Sequence, residues 1–215
     1  MNFERFSLVF MVLVISLGSS CEKEERDTRR PGSKNTVDTS SSGPCGSAQY
    51  EDWQVSRYVL PYPVGKTFTV NLSHCSGSYH SENLPDQFAI DFAMKIGTLV
   101  TASRAGQVVL VKESGLDGQL DNNLVVIRHS DGSYAQYMHF KHEGALVTVG
   151  QFINQGDELG LSGNTGLAGY PHLHFVATRK GSFEFPYISF PTTFKNTVAN
   201  ERSLLPDTPY TALPY

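Results

Sequence analysis

An antiparallel all-β fold is the architecture that this sequence predicts, and three observations carry it. Nineteen glycines, eleven prolines and 11% aromatic residues favour a turn-rich β protein. Segments of strand-like composition recur at short intervals from Phe88 onward, separated by turn chemistry at Asp117-Gly118, Asp131-Gly132 and the glycine-rich Gly160–Gly169. No stretch holds a helical period over three turns. The expected form is a sheet or sandwich, and 215 residues suffice for one medium domain with a sizeable core. The formal charge is 17 − 21 = −4 with no basic patch, which argues against nucleic acid as a partner.

Along the chain, the first element is not part of that fold. Arg5 precedes an apolar run from Ser7 to Leu17, followed by Gly18-Ser19-Ser20 and Cys21. A short apolar stretch ending in small residues has the form of an export signal over 1–20 and is too short for a comfortable membrane span. It resembles a bacterial lipoprotein signal, in which cleavage leaves a lipid-modified cysteine, here Cys21, as the first mature residue. It departs from the usual pattern in having Gly18 three places before the cysteine, with Leu17 one further back. With lipid on Cys21, Cys45 and Cys75 remain as a disulfide pair for an oxidising compartment. From Glu22 to Gln49 the only sizeable aliphatic residue is Val37, so 21–49 is expected to be a flexible tether. The folded domain is expected over 50–195. Its strands fall at Phe88–Met94, Thr98–Ala102, Gln107–Lys112, Leu124–His129, Tyr134–Phe140, Leu146–Ile153 and His172–Ala177. Residues 196–215 hold three prolines and are expected to wrap irregularly.

Period two separates core from site within these strands. In the first, Phe88, Ile90, Phe92 and Met94 share one face, and Asp91 stands between Ala89 and Ala93 on the other. In "YPHLHF", Leu173 and Phe175 form the apolar face while His172, His174 and Val176 point away. In "AQYMHF", Met138 and Phe140 are assigned to the apolar side, with Gln136, and Ala135, Tyr137 and His139 to the other. A lone histidine of this kind is usually structural; three with Asp91 suggest a site. Zinc is the chemistry that uses them, since imidazole and carboxylate are its ordinary ligands and a catalytic site takes three of them with water in the fourth position. His-x-His on a strand sets two rings roughly 6–7 Å apart at the backbone, so one can bind metal while the other reaches its water. No His-Glu-x-x-His, Cys-x-x-Cys or Gly-x-Ser-x-Gly is present. The Gly-x-x-Gly-x-x-Gly of Gly160–Gly166 is expected to be a mobile turn.

Taken in order, "YHSENLPDQFAIDFAMKIGTLV", "DGSYAQYMHF", "VTVGQFINQGDELGLSGNTG" and "GYPHLHF" resemble the lysostaphin-type (LytM-like) zinc metallopeptidases, over roughly residues 59 to 193 and including the downstream "ISFPTTF". The resemblance implies an antiparallel β-sandwich with a zinc cleft between strands, akin to a duplicated-hybrid-motif fold. It implies zinc on His80, Asp91 and His174, with His172 as general base and His139 stabilising the oxyanion and assisting proton transfer. Many members have His-x-x-x-Asp, whereas ten residues separate His80 from Asp91 here; His74 is the alternative first ligand, and His129 is left structural. The implied activity is hydrolysis of peptide cross-links in peptidoglycan by a monomer. Its setting would be the bacterial envelope, lipid-anchored at Cys21 and facing the periplasm or the exterior, with regulatory envelope partners. The alternative is a non-catalytic protein of the same fold that binds wall or regulates other wall hydrolases. Gly97–Gly166 also resembles lipoyl or biotinyl carriers, but Lys112 is not at the exposed hairpin tip that those require.

Overall fold

The structure, a computed structural model, describes residues 45–215. The export signal over 1–20, the lipid on Cys21 and the tether as far as residue 44 lie outside the described residues. Eleven strands and a single 3-10 turn at Trp53–Val55 make up the regular structure among the described residues. No helix there is long and apolar enough to cross a membrane.

Eight strands form one antiparallel sheet in the order β11-β1-β2-β10-β6-β5-β4-β8. These are β1 (Thr67–Leu72), β2 (Ala89–Ala93), β4 (Gly106–Lys112), β5 (Leu124–Arg128), β6 (Tyr134–Met138), β8 (Phe152–Ile153), β10 (His172–Thr178) and β11 (Thr208–Thr211). A smaller sheet joins β3 (Leu99–Thr101), β9 (Glu158–Ser162) and β7 (Phe140–Ala145) in the order β3-β9-β7. One apolar cluster draws from both sheets, with Ile90, Phe92, Val125, Ile127, Leu173 and Phe175 from the large one and Val100, Phe140 and Leu159 from the small one. Phe175 is fully buried, its ring 5.4 Å from Tyr137 and 5.9 Å from Phe194. The β-branched and aromatic residues on the inward period of β2, β5 and β10 thus face the core, and the other face of the central strands is left for the site.

Four strands were not foreseen, among them β7, which fills the gap between the expected strands at Tyr134–Phe140 and Leu146–Ile153. β1 lies before the first expected strand. β9 runs into the start of the glycine-rich stretch expected to be a mobile turn, as far as Ser162, and β11 lies in the C-terminal segment expected to be irregular. In β9 and the loop after it the glycines serve close packing. A Cβ at Gly160 would stand 2.4 Å from the Phe140 ring, and one at Gly163 2.3 Å from the Lys141 backbone nitrogen. These residues are glycines because another element presses on them. β11 extends the sheet by pairing with β1, Phe68 opposite Tyr210; its one proline, Pro209, stands opposite Thr69 on an edge strand, where a missing N–H is tolerated. Conversely, the expected strand at Leu146–Ile153 shrinks to the two residues of β8.

The N-terminal border is fixed covalently. Cys45 and Cys75 are joined, which anchors the end of the expected tether to the long β1–β2 connection, residues 73–88. His129 is structural, as expected: its Nδ1–H donates to the Ala105 carbonyl at 2.8 Å, beneath the edge of Tyr58.

Burial pushes the His129 imidazole down to about 4 from its ordinary 6.5. Because its folded value lies below the unfolded one, the unfolded chain binds the extra proton. Stability is full above pH 6.5 and is lost as pH falls toward 4. His129→Gln removes this loss. The fall in unfolding free energy between pH 7 and pH 4, measured by urea denaturation, should shrink by about 3 kcal/mol in the variant. An unchanged pH slope would mean that His129 is charged in the folded protein.

Candidate metal centre

Pairing register brings the histidines and the aspartate together. β10 lies between β2 and β6, with His174 opposite Asp91 on one side and Met138 on the other, and His172 opposite Ala93. Residues directly opposite in a ladder share a face. Asp91, His172 and His174 therefore project from the same side, away from Leu173 and Phe175, as their period predicts. The β1–β2 connection folds over that face and delivers His80.

His139 arrives by another route, and here the strand period misled. Tyr137 and Ala135 belong to the core, while Met138 and Gln136 lie on the site side. The faces assigned to Met138 and to Tyr137 from sequence are therefore exchanged. An uninterrupted strand would send His139 into the core with Tyr137. Instead β6 stops at Met138, and His139 takes φ +66° before β7 begins. This left-handed step reverses the parity, so that His139 faces the site and Phe140 the core. Such a conformation costs roughly 1–2 kcal/mol in a residue with a Cβ and persists only where its surroundings dictate it. Two contacts do so. The Asn122 Oδ1 accepts the His139 backbone N–H at 3.1 Å, and the Thr165 carbonyl accepts its Nδ1–H at 2.6 Å.

All five expected residues meet in one buried cluster, none more than 7% exposed. Asp91 Oδ1 is 2.8 Å from His174 Nδ1, 3.4 Å from His80 Nε2 and 3.7 Å from His172 Nε2. The His139 and His172 rings lie 4.6 Å apart. Two triads have donor atoms all within 4.8 Å of one another: His80, Asp91 and His174, and His139, His172 and His174. Carbonyl partners fix the tautomers, since a carbonyl can only accept. His80 Nδ1–H donates to Ser73 at 3.3 Å and His172 Nδ1–H to Tyr170 at 2.8 Å, so each leaves a bare Nε2 toward the cluster, as does His139. This is the arrangement in which imidazole binds or accepts.

Electrostatics follow from burial and crowding. Burial would raise the Asp91 carboxyl, but the His174 and His80 imidazoles beside it outweigh burial and hold it far below the usual range. Burial, with His174 and His172 beside it, pushes His139 down to about 3, and burial also lowers His172. Both are therefore neutral near pH 7. For His174, Asp86 and Asp91 outweigh burial and push it up. Two imidazoles and a carboxylate around one point fit a zinc ion on donor chemistry, and the carbonyl behind His80 is the kind of support that metal-binding histidines receive.

His74, the alternative first ligand, belongs to neither triad. It is buried under the Tyr50 ring, 5.7 Å away, with Ser203 Oγ 3.4 Å from its Nε2. His142 points its Nδ1–H at the Gly115 carbonyl, at 3.3 Å, outside the cluster. Four supporting residues escaped the sequence reading. Asp86 reaches His174 and Tyr187 holds Asp86, Asn122 holds His139, and Asn123 ties its neighbourhood together. The "DNN" run before β5 was the available signal, because adjacent asparagines at a strand entry often bind nearby backbone.

Residues 86–185 match the family model described as Peptidase family M23. They form an M23 peptidase domain. Over 122 residues the chain is 34% identical to the peptidoglycan DD-endopeptidase ShyA of Vibrio cholerae, covering 56% of this chain and 27% of that protein. It is also 34% identical over 116 residues to lysostaphin of Staphylococcus staphylolyticus, covering 54% of this chain and 20% of that one. The chain thus spans less than a third of the length of these relatives. Among solved structures, the catalytic domain of lysostaphin from Staphylococcus simulans aligns with 61% of this chain and 84% of its own length. Identity there is 28% and the TM-score 0.41.

Asn123 gives the site a direct stability test. Its buried amide accepts the Gly115 N–H at 2.7 Å and donates to the Gly115 and Phe140 carbonyls at 2.9 and 3.2 Å. It thereby fastens the loop before β5 to the strand that follows His139. Asn123→Ala leaves the buried Gly115 N–H without a partner, while the Gly115 and Phe140 carbonyls keep His142 and Thr165, and should cost about 2 kcal/mol in urea unfolding. An unaffected midpoint would mean that the segments hold without it.

Proposed function

We propose that this chain is a zinc-dependent endopeptidase that hydrolyses peptide cross-links of bacterial peptidoglycan. The observation that carries the reading is the convergence of His80, Asp91, His139, His172 and His174 in one buried cluster. The named activity of the Vibrio relative, a peptidoglycan DD-endopeptidase, supports the substrate class. Lipid on Cys21 and a tether over 21–49 would place the domain near its wall substrate, in the envelope.

Bound at His80, Asp91 and His174, zinc would supply Lewis acidity, polarising the scissile carbonyl and activating a water. His172 then has the features of a general base. It is neutral, its Nδ1–H is committed to Tyr170, and its Nε2 lone pair faces Asp91 and the cluster. His139 has the same tautomer, so its Nε2 is an acceptor first. It can donate to an oxyanion or to the leaving amine only after taking up a proton. The His172 ring, 4.6 Å away and tilted by 55° to it, is close enough for the two to share that task. A non-catalytic wall-binding or regulatory role is the second reading, favoured by the burial of all five residues to 7% exposure or less.

Two experiments test this. His174→Ala and His80→Ala should lose zinc, measured by metal content after dialysis, whereas His172→Ala should keep it and lose roughly 10²–10⁴ in turnover. Equal loss of zinc in all three would overturn the division of labour. Purified sacculi incubated with the zinc-loaded protein should release uncrosslinked muropeptides. Intact sacculi with zinc bound would favour the binding role.

A further inference from the structure

Asp86 and Tyr187 stand behind the cluster and take no part in the chemistry above. The Asp86 Oδ1 lies 3.1 Å from His174 Nε2. Tyr187, 5% exposed, donates a very short hydrogen bond to the same oxygen. One residue back, the Pro85 carbonyl accepts the Ser189 hydroxyl at 2.6 Å. The segment after β10 therefore grips the segment before β2 at two adjacent residues. Proline at 85 stiffens the held strand of chain. Tyr187 and Ser189 both fall beyond the span 86–185 that matches the family model.

A metal-binding imidazole must present one bare nitrogen while the other holds its proton, and an acceptor fixed behind the ring decides which is which. Asp86 occupies that position. With Nε2–H committed to a carboxylate, the only lone pair left to a neutral His174 is on Nδ1, the nitrogen 2.8 Å from Asp91 Oδ1. Both triads use His174, so its orientation bears on which of them binds.

We propose that Asp86, clamped by Tyr187 and Ser189, is the positioning residue that fixes the His174 ring with Nδ1 toward Asp91 and so commits the metal to the His80, Asp91 and His174 set. This rests on the zinc reading given above. Tyr187 keeps the Asp86 carboxylate aimed at the ring. The charge then adds to the basicity of the imidazole that meets the metal.

The test is zinc affinity, measured by competition with a chromophoric chelator, on wild type, Asp86→Ala, Asp86→Asn and Tyr187→Phe. Thermal melts establish that each variant is folded. Nitrogen-15 spectra of the zinc-loaded proteins report which ring nitrogen of His174 carries the proton. Asp86→Ala should bind zinc roughly 10–100-fold more weakly and lose the slowly exchanging Nε2 proton. Asp86→Asn should fall between, because its amide oxygen still accepts. Tyr187→Phe should lose on the order of 5-fold, the worth of one hydrogen bond; if Asp86→Ala does not fold, this variant decides. Wild-type affinity and an unchanged proton position in the variants would overturn the brace while leaving the zinc reading intact. A wild type that binds no zinc would overturn both.

Discussion

A buried carboxylate organises this protein. Asp91 sits on a central strand, 4% exposed, where an uncompensated charge would cost several kcal/mol. Histidines delivered from two other segments provide the compensation, His174 from the neighbouring strand and His80 from the connection that folds over the sheet. Asp86 adds a second negative group behind His174. Two carboxylates flanking one imidazole, with further imidazoles alongside, form an arrangement that a divalent cation would complete.

The scaffold meets this demand by dividing the labour of one sheet between its faces. Leu173 and Phe175 enter the core from β10, and His172 and His174 leave it on the other side. Shifting β10 by one residue would bury two imidazoles in a hydrocarbon core and expose two large apolar side chains, so the register of the site is enforced by packing. The site face is in turn roofed by the β1–β2 connection and the segment after β10, joined to each other through Ser189 and Pro85. The disulfide at Cys45–Cys75 holds the first of these.

The part of this that sequence reveals is the part governed by local period. The all-β class and the faces of β2 and β10, with Asp91, His172 and His174 on the site side, follow from alternation and from His-x-His spacing, whereas His80 comes only from the family resemblance. Where an element departs from regular geometry, the same reasoning inverts. The left-handed step at His139 exchanges the two faces of β6, and its cause lies at Asn122 and Thr165, which are remote in sequence. The glycines at 160 and 163 suggested mobility because composition cannot distinguish a flexible turn from a backbone pressed by a neighbour. β11 was hidden for a similar reason: three prolines suggest irregular chain, yet only Pro209 falls within the strand, and an edge strand tolerates it. Asp86 and Tyr187 gave no signal because their partnership spans 101 residues.

The central claim is that Asp91, with one imidazole from the β1–β2 connection and one from β10, forms the metal-binding triad, leaving His139 and His172 unligated. X-ray absorption at the zinc edge of the loaded wild-type protein counts imidazoles directly through their multiple scattering. Two imidazoles with oxygen donors completing the shell is the predicted result. Three imidazoles would place the ion among His139, His172 and His174 and contradict the account.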